Sequence, residues 1–250
     1  MISISRKRLV VIVSAVLAVL VWKLAADLTG RDIILPSPED TLAYVVMLLG
    51  RKDTWAAVGA TLQRVLVSFG VNIGAALCLG VAAGLIPVVE AALKPVIAVM
   101  KAVPTMGVIL ISLIWFDSEL AVIFVCTLIV FPVLYSAVVL GIRHLDHGLI
   151  EMHRVFRIGR LKRFFRFVLP SLKPHLLAGI SSGLGLSMKV IIAAEVLSQP
   201  RTGIGTMFQV ERARLNTVGV FAWSLVVIIL TAGLEGLFAL MRRRRRPHAS

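Results

Sequence analysis

Apolar residues in this chain gather into long runs separated by short basic or polar stretches. A helix that crosses a bilayer needs ~20 predominantly apolar residues. Runs of that kind occur at 9–26, 65–86, 96–116, 120–142, 176–197 and 218–241. The pattern predicts an all-α, polytopic membrane helical bundle of six transmembrane helices, with residues 1–250 as a single integral membrane domain. The third run is the weakest, because Lys101 and Pro104 interrupt it. Pro104 and Pro132 each predict a kink. The first run also fits a signal peptide, since Arg6, Lys7 and Arg8 precede it. Lys23 stands where a cleavage site would fall and five more runs follow, so an uncleaved anchor is the reading adopted.

A shorter element lies between the first two runs. Ser37 fits an N-cap, Pro38 the first helical position, and Glu39 and Asp40 the acidic first turn. Leu42, Val45, Val46 and Leu49 follow at helical spacing, and Gly50 supplies a stop. This predicts an amphipathic helix over 38–49 on the outer face of the membrane domain. Inside the runs, Gly70 and Gly74, Gly80 and Gly84, and Gly179 and Gly183 sit four residues apart. Such spacing lets helix backbones approach closely in lipid, although membrane helices are also glycine-rich in general.

Composition sharpens the picture. The chain is 58% hydrophobic, against about 45–50% for soluble domains. Its net charge of +14 first brings nucleic acid to mind. The basic residues, however, fall mainly between the apolar runs. With the N-terminus inside, Arg6, Lys7, Arg8, Lys94, Lys101, the basic loop 143–173 and the arginine run 242–246 all lie on the cytoplasmic side. Arg31, Arg51, Lys52, Arg64, Arg201, Arg212 and Arg214 lie outside. Both termini are then cytoplasmic, the final arginines act as a stop-transfer anchor, and no nucleic-acid partner is needed. Cys78 and Cys126 lie in apolar runs and read as small buried thiols.

Besides Lys23 and Lys101, three charged residues fall within the runs: Lys189, Glu195 and Glu235. Lys189 is near the middle of the fifth, where a charge is costly and commonly functional. Ser182, Gly185 and Lys189 share roughly one helical face and form a candidate lining for a translocation pathway. Lys189 either attracts an anion, pairs with a carboxylate, or snorkels to the interface. Glu195 is near the outer end of the same run and suits a gate. Glu235, in the sixth run, is a candidate partner for a cation. His144 and His147 flank Asp146 but have no further ligands nearby, so they read as surface histidines and no metal site is expected. No Ser/His/Asp set and no paired carboxylates support an enzyme.

The loop 143–173 is the longest inner segment. Leu145, Leu149, Met152 and Phe156 form one helical stripe, with Arg154 and Arg157 pointing elsewhere. Such a helix lies on a membrane surface or inserts into a partner's groove. Gly159 would end it, and Leu169 and Pro170 lead into the fifth run.

Glu151, Gly159 and the Val168-Leu169-Pro170 end resemble the inner loop of binding-protein-dependent ABC importer permeases. Met152 and His153 stand where that family usually has small residues. Ile34-Leu35-Pro36-Ser37-Pro38, Thr61-Leu62-Gln63-Arg64-Val65, Ala102-Val103-Pro104-Thr105, Leu113-Ile114-Trp115-Phe116 and Ala194-Glu195-Val196 extend the resemblance, in order, to the nitrate/sulfonate/taurine branch. The resemblance implies a translocation subunit in the bacterial plasma membrane. Its expected partners are a second copy of itself, two ABC ATP-binding subunits and an extracytoplasmic solute-binding protein. ATP and Mg would sit on the ATPase, since no Gly-x-x-x-x-Gly-Lys-Ser/Thr occurs in this chain. Glu151, Met152, His153, Arg154, Phe156, Gly159, Leu169 and Pro170 would form the ATPase-coupling set, and Glu195 would contact the binding protein or act as a gate. The solute would be small and anionic or polar, such as nitrate, a sulfonate, taurine or a vitamin precursor. The alternative is an ion-coupled secondary transporter or channel, which predicts internal repeats and discontinuous helices.

Overall fold

The computed structural model describes residues 4–145, 166 and 169–244. Every regular element among the described residues is helical. In chain order these are α1 (Ile4–Thr29), α2 (Pro38–Leu49), α3 (Lys52–Leu85), α4 (Pro87–Ala102), α5 (Thr105–Trp115), α6 (Ser118–Arg143), α7 (Leu169–Ser198), α8 (Ile204–Ala213) and α9 (Thr217–Arg244). Helices α1, α3, α6, α7 and α9 are each long and apolar enough to cross a membrane.

The third predicted span is not one continuous helix. Val103 adopts an extended conformation ahead of Pro104, as a residue before proline prefers. The chain turns there through 101°, so α4 and α5 are a bent pair that makes the sixth crossing if the two helices span as one unit. Pro132 behaves differently. Helix α6 continues through it, and the Ser136 hydroxyl donates to the Pro132 carbonyl at 2.7 Å.

Helix α3 is much longer than the 65–86 run. Its 34 residues rise to roughly 50 Å, against a hydrocarbon core of ~30 Å. The helix is longer than that layer, and its first half carries Arg64, which the sequence placed in an outer loop, into the bundle.

Helix α6 runs through the centre, between α3 and α7. Val122, Val125, Cys126, Val130, Leu134 and Val138 are fully buried on it. Lipid gives little hydrophobic drive for helix association, so close backbone approach matters. A Cβ added at Gly80 would meet Val138 at 2.9 Å, and one at Gly84 would meet Ile142 at 2.8 Å. On α7, Gly179 leaves only 2.6 Å to the Ala137 Cβ, and Gly183 leaves 3.0 Å to the Phe69 ring. Gly70 and Gly74 differ: among the described residues nothing lies within 4 Å of a Cβ at either.

Helix α2 starts as its sequence predicts. The Ser37 Oγ accepts the Asp40 N–H at 3.1 Å, with Pro38 in the first turn. The side it buries differs from the apolar stripe. Thr41, Val45 and Leu48 face the protein, whereas Leu42, Val46 and Leu49 are exposed. An apolar face at a bilayer surface is satisfied by lipid as well as by protein, so periodicity alone does not fix which way it turns. Helix α1 stands apart, with exposed apolar residues from Leu9 to Leu24. Trp22 anchors it, its Nε1 donating to the Pro36 carbonyl at 3.0 Å and its ring lying 5.9 Å from that of Phe221.

Candidate functional site

Two features toward the end of the bundle where α6 begins carry polar chemistry. The first is a charge cluster that joins four helices. Arg64, 6% exposed on α3, holds Glu119 at the start of α6 with two parallel contacts of 2.7 Å from Nε and Nη2. Its Nη1 donates to Glu195 of α7 at 2.6 Å. The Glu195 carboxylate is fully buried and also accepts the Thr61 hydroxyl at 2.9 Å and the Gly205 N–H at 2.9 Å. The Ile204 N–H donates to Thr61 Oγ1 at 2.9 Å. Glu195 therefore sits at the N-terminus of α8, where free amides and the helix dipole favour negative charge. Glycine is required beside it, because a Cβ at Gly203 would come within 2.7 Å of Glu195 Oε2. A buried carboxylate is tolerable only when paired and hydrogen-bonded, and Glu195 meets both conditions.

A smaller network closes the same end. Tyr44 of α2 donates to Glu211 Oε1 at 3.0 Å, and Asn216 Nδ2 donates to Glu211 Oε2 at 2.7 Å. Partial burial raises the Tyr44 phenol above its ordinary pKa, and its bond to the Glu211 carboxylate adds to that shift. This ties α2 to α8 and to the start of α9.

The second feature is a cavity of about 550 Å³ between α7, α8 and α9. Its walls are largely apolar, with Ile192, Val196, Phe208 and Val227 among them. Lys189 and Arg212 also line it, together with Gln209 and Ser224. Lys189 is exposed and has no carboxylate within ion-pair distance among the described residues. Arg212 makes only a 3.4 Å contact to Gln209 Oε1. Two cations on apolar walls form a site that attracts an anion, and the low-dielectric surroundings strengthen that attraction.

The structure separates the pathway residues that the sequence grouped. Ser182 and Lys189 are exposed on α7. Gly185 is buried, and the Glu235 carboxylate of α9 lies against it. Glu195 belongs to the charge cluster and does not line the cavity. Glu235 has no cation within ion-pair distance among the described residues. Glu151, Met152, His153, Arg154, Phe156 and Gly159 lie outside the described residues, while Leu169 and Pro170 form the first turn of α7. Arg64 and Arg212 were not singled out from the sequence. Arg212 could have been found as a basic residue on the short 204–213 helix, whose apolar face predicts packing against the outer ends of the spans.

These features define a class: a polytopic helical membrane protein with a cation-bearing cavity and no phosphate-cradling loop in its sequence. A profile of the family described as "Binding-protein-dependent transport system inner membrane component" matches residues 76–247. The chain is 28% identical over 236 residues to the taurine transport system permease protein TauC of Escherichia coli strain K12, covering 92% of this chain and 86% of that protein. It is 32% identical over 222 residues to the putative aliphatic sulfonates transport permease protein SsuC of the same organism, covering 88% and 82%. It is 29% identical over 191 residues to the nitrate import permease protein NrtB of Leptolyngbya laminosa, covering 72% and 63%. The chain belongs to the binding-protein-dependent inner-membrane permease family. It is a multi-pass inner-membrane protein and the non-enzymatic translocation subunit of an ABC importer, working with an ATP-binding subunit and a binding protein.

Proposed function

We propose that this permease imports a small oxyanion, of the sulfonate or nitrate kind, through the cavity lined by Lys189 and Arg212. The observation that carries the proposal is Lys189: a membrane-depth cation, unpaired among the described residues, on the wall of a cavity large enough for a small solute. Three relatives named for taurine, aliphatic sulfonates and nitrate support an anionic solute.

Two copies of the chain form the pathway, and the exposed apolar length of α1 is available to cover the second copy or face lipid. Both termini are cytoplasmic, as the basic loop and C-terminal arginines favour. Two ATPase subunits, holding ATP and Mg, grip the inner loops through Glu151, Met152, His153, Arg154, Phe156 and Gly159. Their closure moves α7 through Leu169 and Pro170, and the binding protein delivers solute at the opposite face. Because α7 carries both this inner attachment and Lys189, motion of the loop reaches the cavity through one rigid element.

The test is ATP-driven uptake of labelled taurine, an alkanesulfonate and nitrate into proteoliposomes holding the assembled transporter with its binding protein. Lys189→Ala lowers uptake of the transported anion by tenfold or more, and Lys189→Arg retains most of it. Equal uptake by all three forms refutes the proposal.

A further inference from the structure

A second charged groove lies at the other end of the bundle, between α4 and α6. It has a volume of about 360 Å³. Lys94 and Lys101 of α4 and Arg143 of α6 line it, with Glu90 as the one carboxylate. Glu90 pairs with Arg143. Lys101 Nζ donates to Ser136 Oγ at 3.0 Å. Neither Lys94 nor Lys101 has a carboxylate within ion-pair distance among the described residues. Tyr135, also on the groove wall, is 6% exposed, and its hydroxyl has no hydrogen-bond partner among the described residues.

The helix geometry explains the alignment. Lys94 and Lys101 are seven residues apart, so they share one face of α4 and lie ~10 Å apart along its axis. The arrangement is a short ladder of positive charge, running from the end of α6 into the apolar layer. The wall between the charges is apolar, formed by Ile97, Val139 and Leu140. Leu140 of the groove wall is exposed, as are Val96 and Val99 of α4.

We infer that this groove seats the headgroup of an anionic phospholipid from the leaflet on the loop side. The phosphate meets Lys94, Lys101 and Arg143, and offers the Tyr135 hydroxyl an acceptor. The acyl chains lie along the exposed apolar side of α4 and over Leu140. A lipid satisfies both the cations and the apolar wall, whereas a soluble oxyanion satisfies only the cations. The cavity around Lys189, between α7, α8 and α9, shares no lining residue with this groove, so this site is separate from the pathway proposed above.

The test uses the full chain with its ATPase partner in nanodiscs of mixed phosphatidylglycerol and phosphatidylcholine. The lipids that stay bound after detergent washing are counted by mass spectrometry. Each basic residue near an anionic headgroup contributes about fivefold, so the native chain enriches phosphatidylglycerol roughly 25-fold through the two lysines. The variant Lys94→Gln/Lys101→Gln loses that enrichment, and Lys94→Arg/Lys101→Arg keeps it, which separates charge from folding. Equal enrichment in the glutamine variant overturns the inference. So does release of the bound lipid by millimolar inorganic phosphate, which assigns the groove to soluble anions. If the double variant does not assemble, Lys101→Gln alone gives the reading, with about a fivefold loss expected and no loss contradictory.

Discussion

Arg64 and Glu195 meet at 2.6 Å inside the bundle, although 131 residues separate them in the chain. Because Arg64 also grips Glu119, a single guanidinium binds α3, α6 and α7, and Glu195 adds α8 through the Gly205 amide. The cluster ties α3, α6, α7 and α8 together, while Lys189 lies on the wall of the cavity between α7, α8 and α9.

Removing the guanidinium leaves two carboxylates facing each other, one of them fully buried. Breaking a buried pair from one side costs about 3–5 kcal/mol. Arg64→Met is expected to lose stability in that range, read by thermal unfolding in detergent. Glu195→Gln is expected to lose less, because Arg64 keeps its double contact with Glu119. A larger loss for Glu195→Gln than for Arg64→Met contradicts this account of the cluster.

The glycines divide into two groups with opposite expected behaviour. Gly179→Ala forces a Cβ to within 2.6 Å of Ala137, and overpacking of this kind costs about 1–3 kcal/mol. Gly74→Ala meets nothing within 4 Å and gains up to about 1 kcal/mol of helix propensity. Thermal unfolding of the two variants in the same detergent checks the order.

The inner loop carries the coupling reading, which rests on family resemblance. Phe156→Ala removes an aromatic anchor, and such anchors are commonly worth 2 kcal/mol or more at an interface. Recovery of the ATP-binding subunit in a pull-down on the tagged permease is therefore expected to fall by tenfold or more. Glu151→Ala is expected to act in the same direction. Undiminished recovery for both variants places the grip elsewhere on the chain.

Much of the fold was legible in the sequence because the bilayer imposes a length on apolar runs. The spans now seen as α1, α6, α7 and α9 follow from that rule, as does α2 from Ser37, Pro38 and the acids after it. The third span bends at Pro104, where a kink was expected, but the size of the 101° turn was not legible, because hydropathy averages across the proline while the turn depends on the backbone of Val103. Helix α3 was read short because Lys52, Asp53 and Arg64 lower the apolar signal; charge neutralised in the folded state is invisible to a composition window. Lys189 stood out as the one basic residue in the fifth apolar run. Arg212 did not, because its relation to the cavity exists only once α8 folds back against α7 and α9. The burial of Glu195 was unreadable for the same reason, since its partners come from three other helices.

The central claim is that the cavity between α7, α8 and α9 is a wet, cation-lined route for an anion. Ala193 lies on its wall. The direct measurement places a cysteine there, as Ala193→Cys with Cys78→Ala, in the assembled transporter, and compares labelling by negatively and positively charged methanethiosulfonates of similar size. The account predicts faster labelling by the negative reagent, and loss of that preference when Lys189→Gln is added. Labelling that is blind to reagent charge, or a preference for the positive reagent, contradicts it.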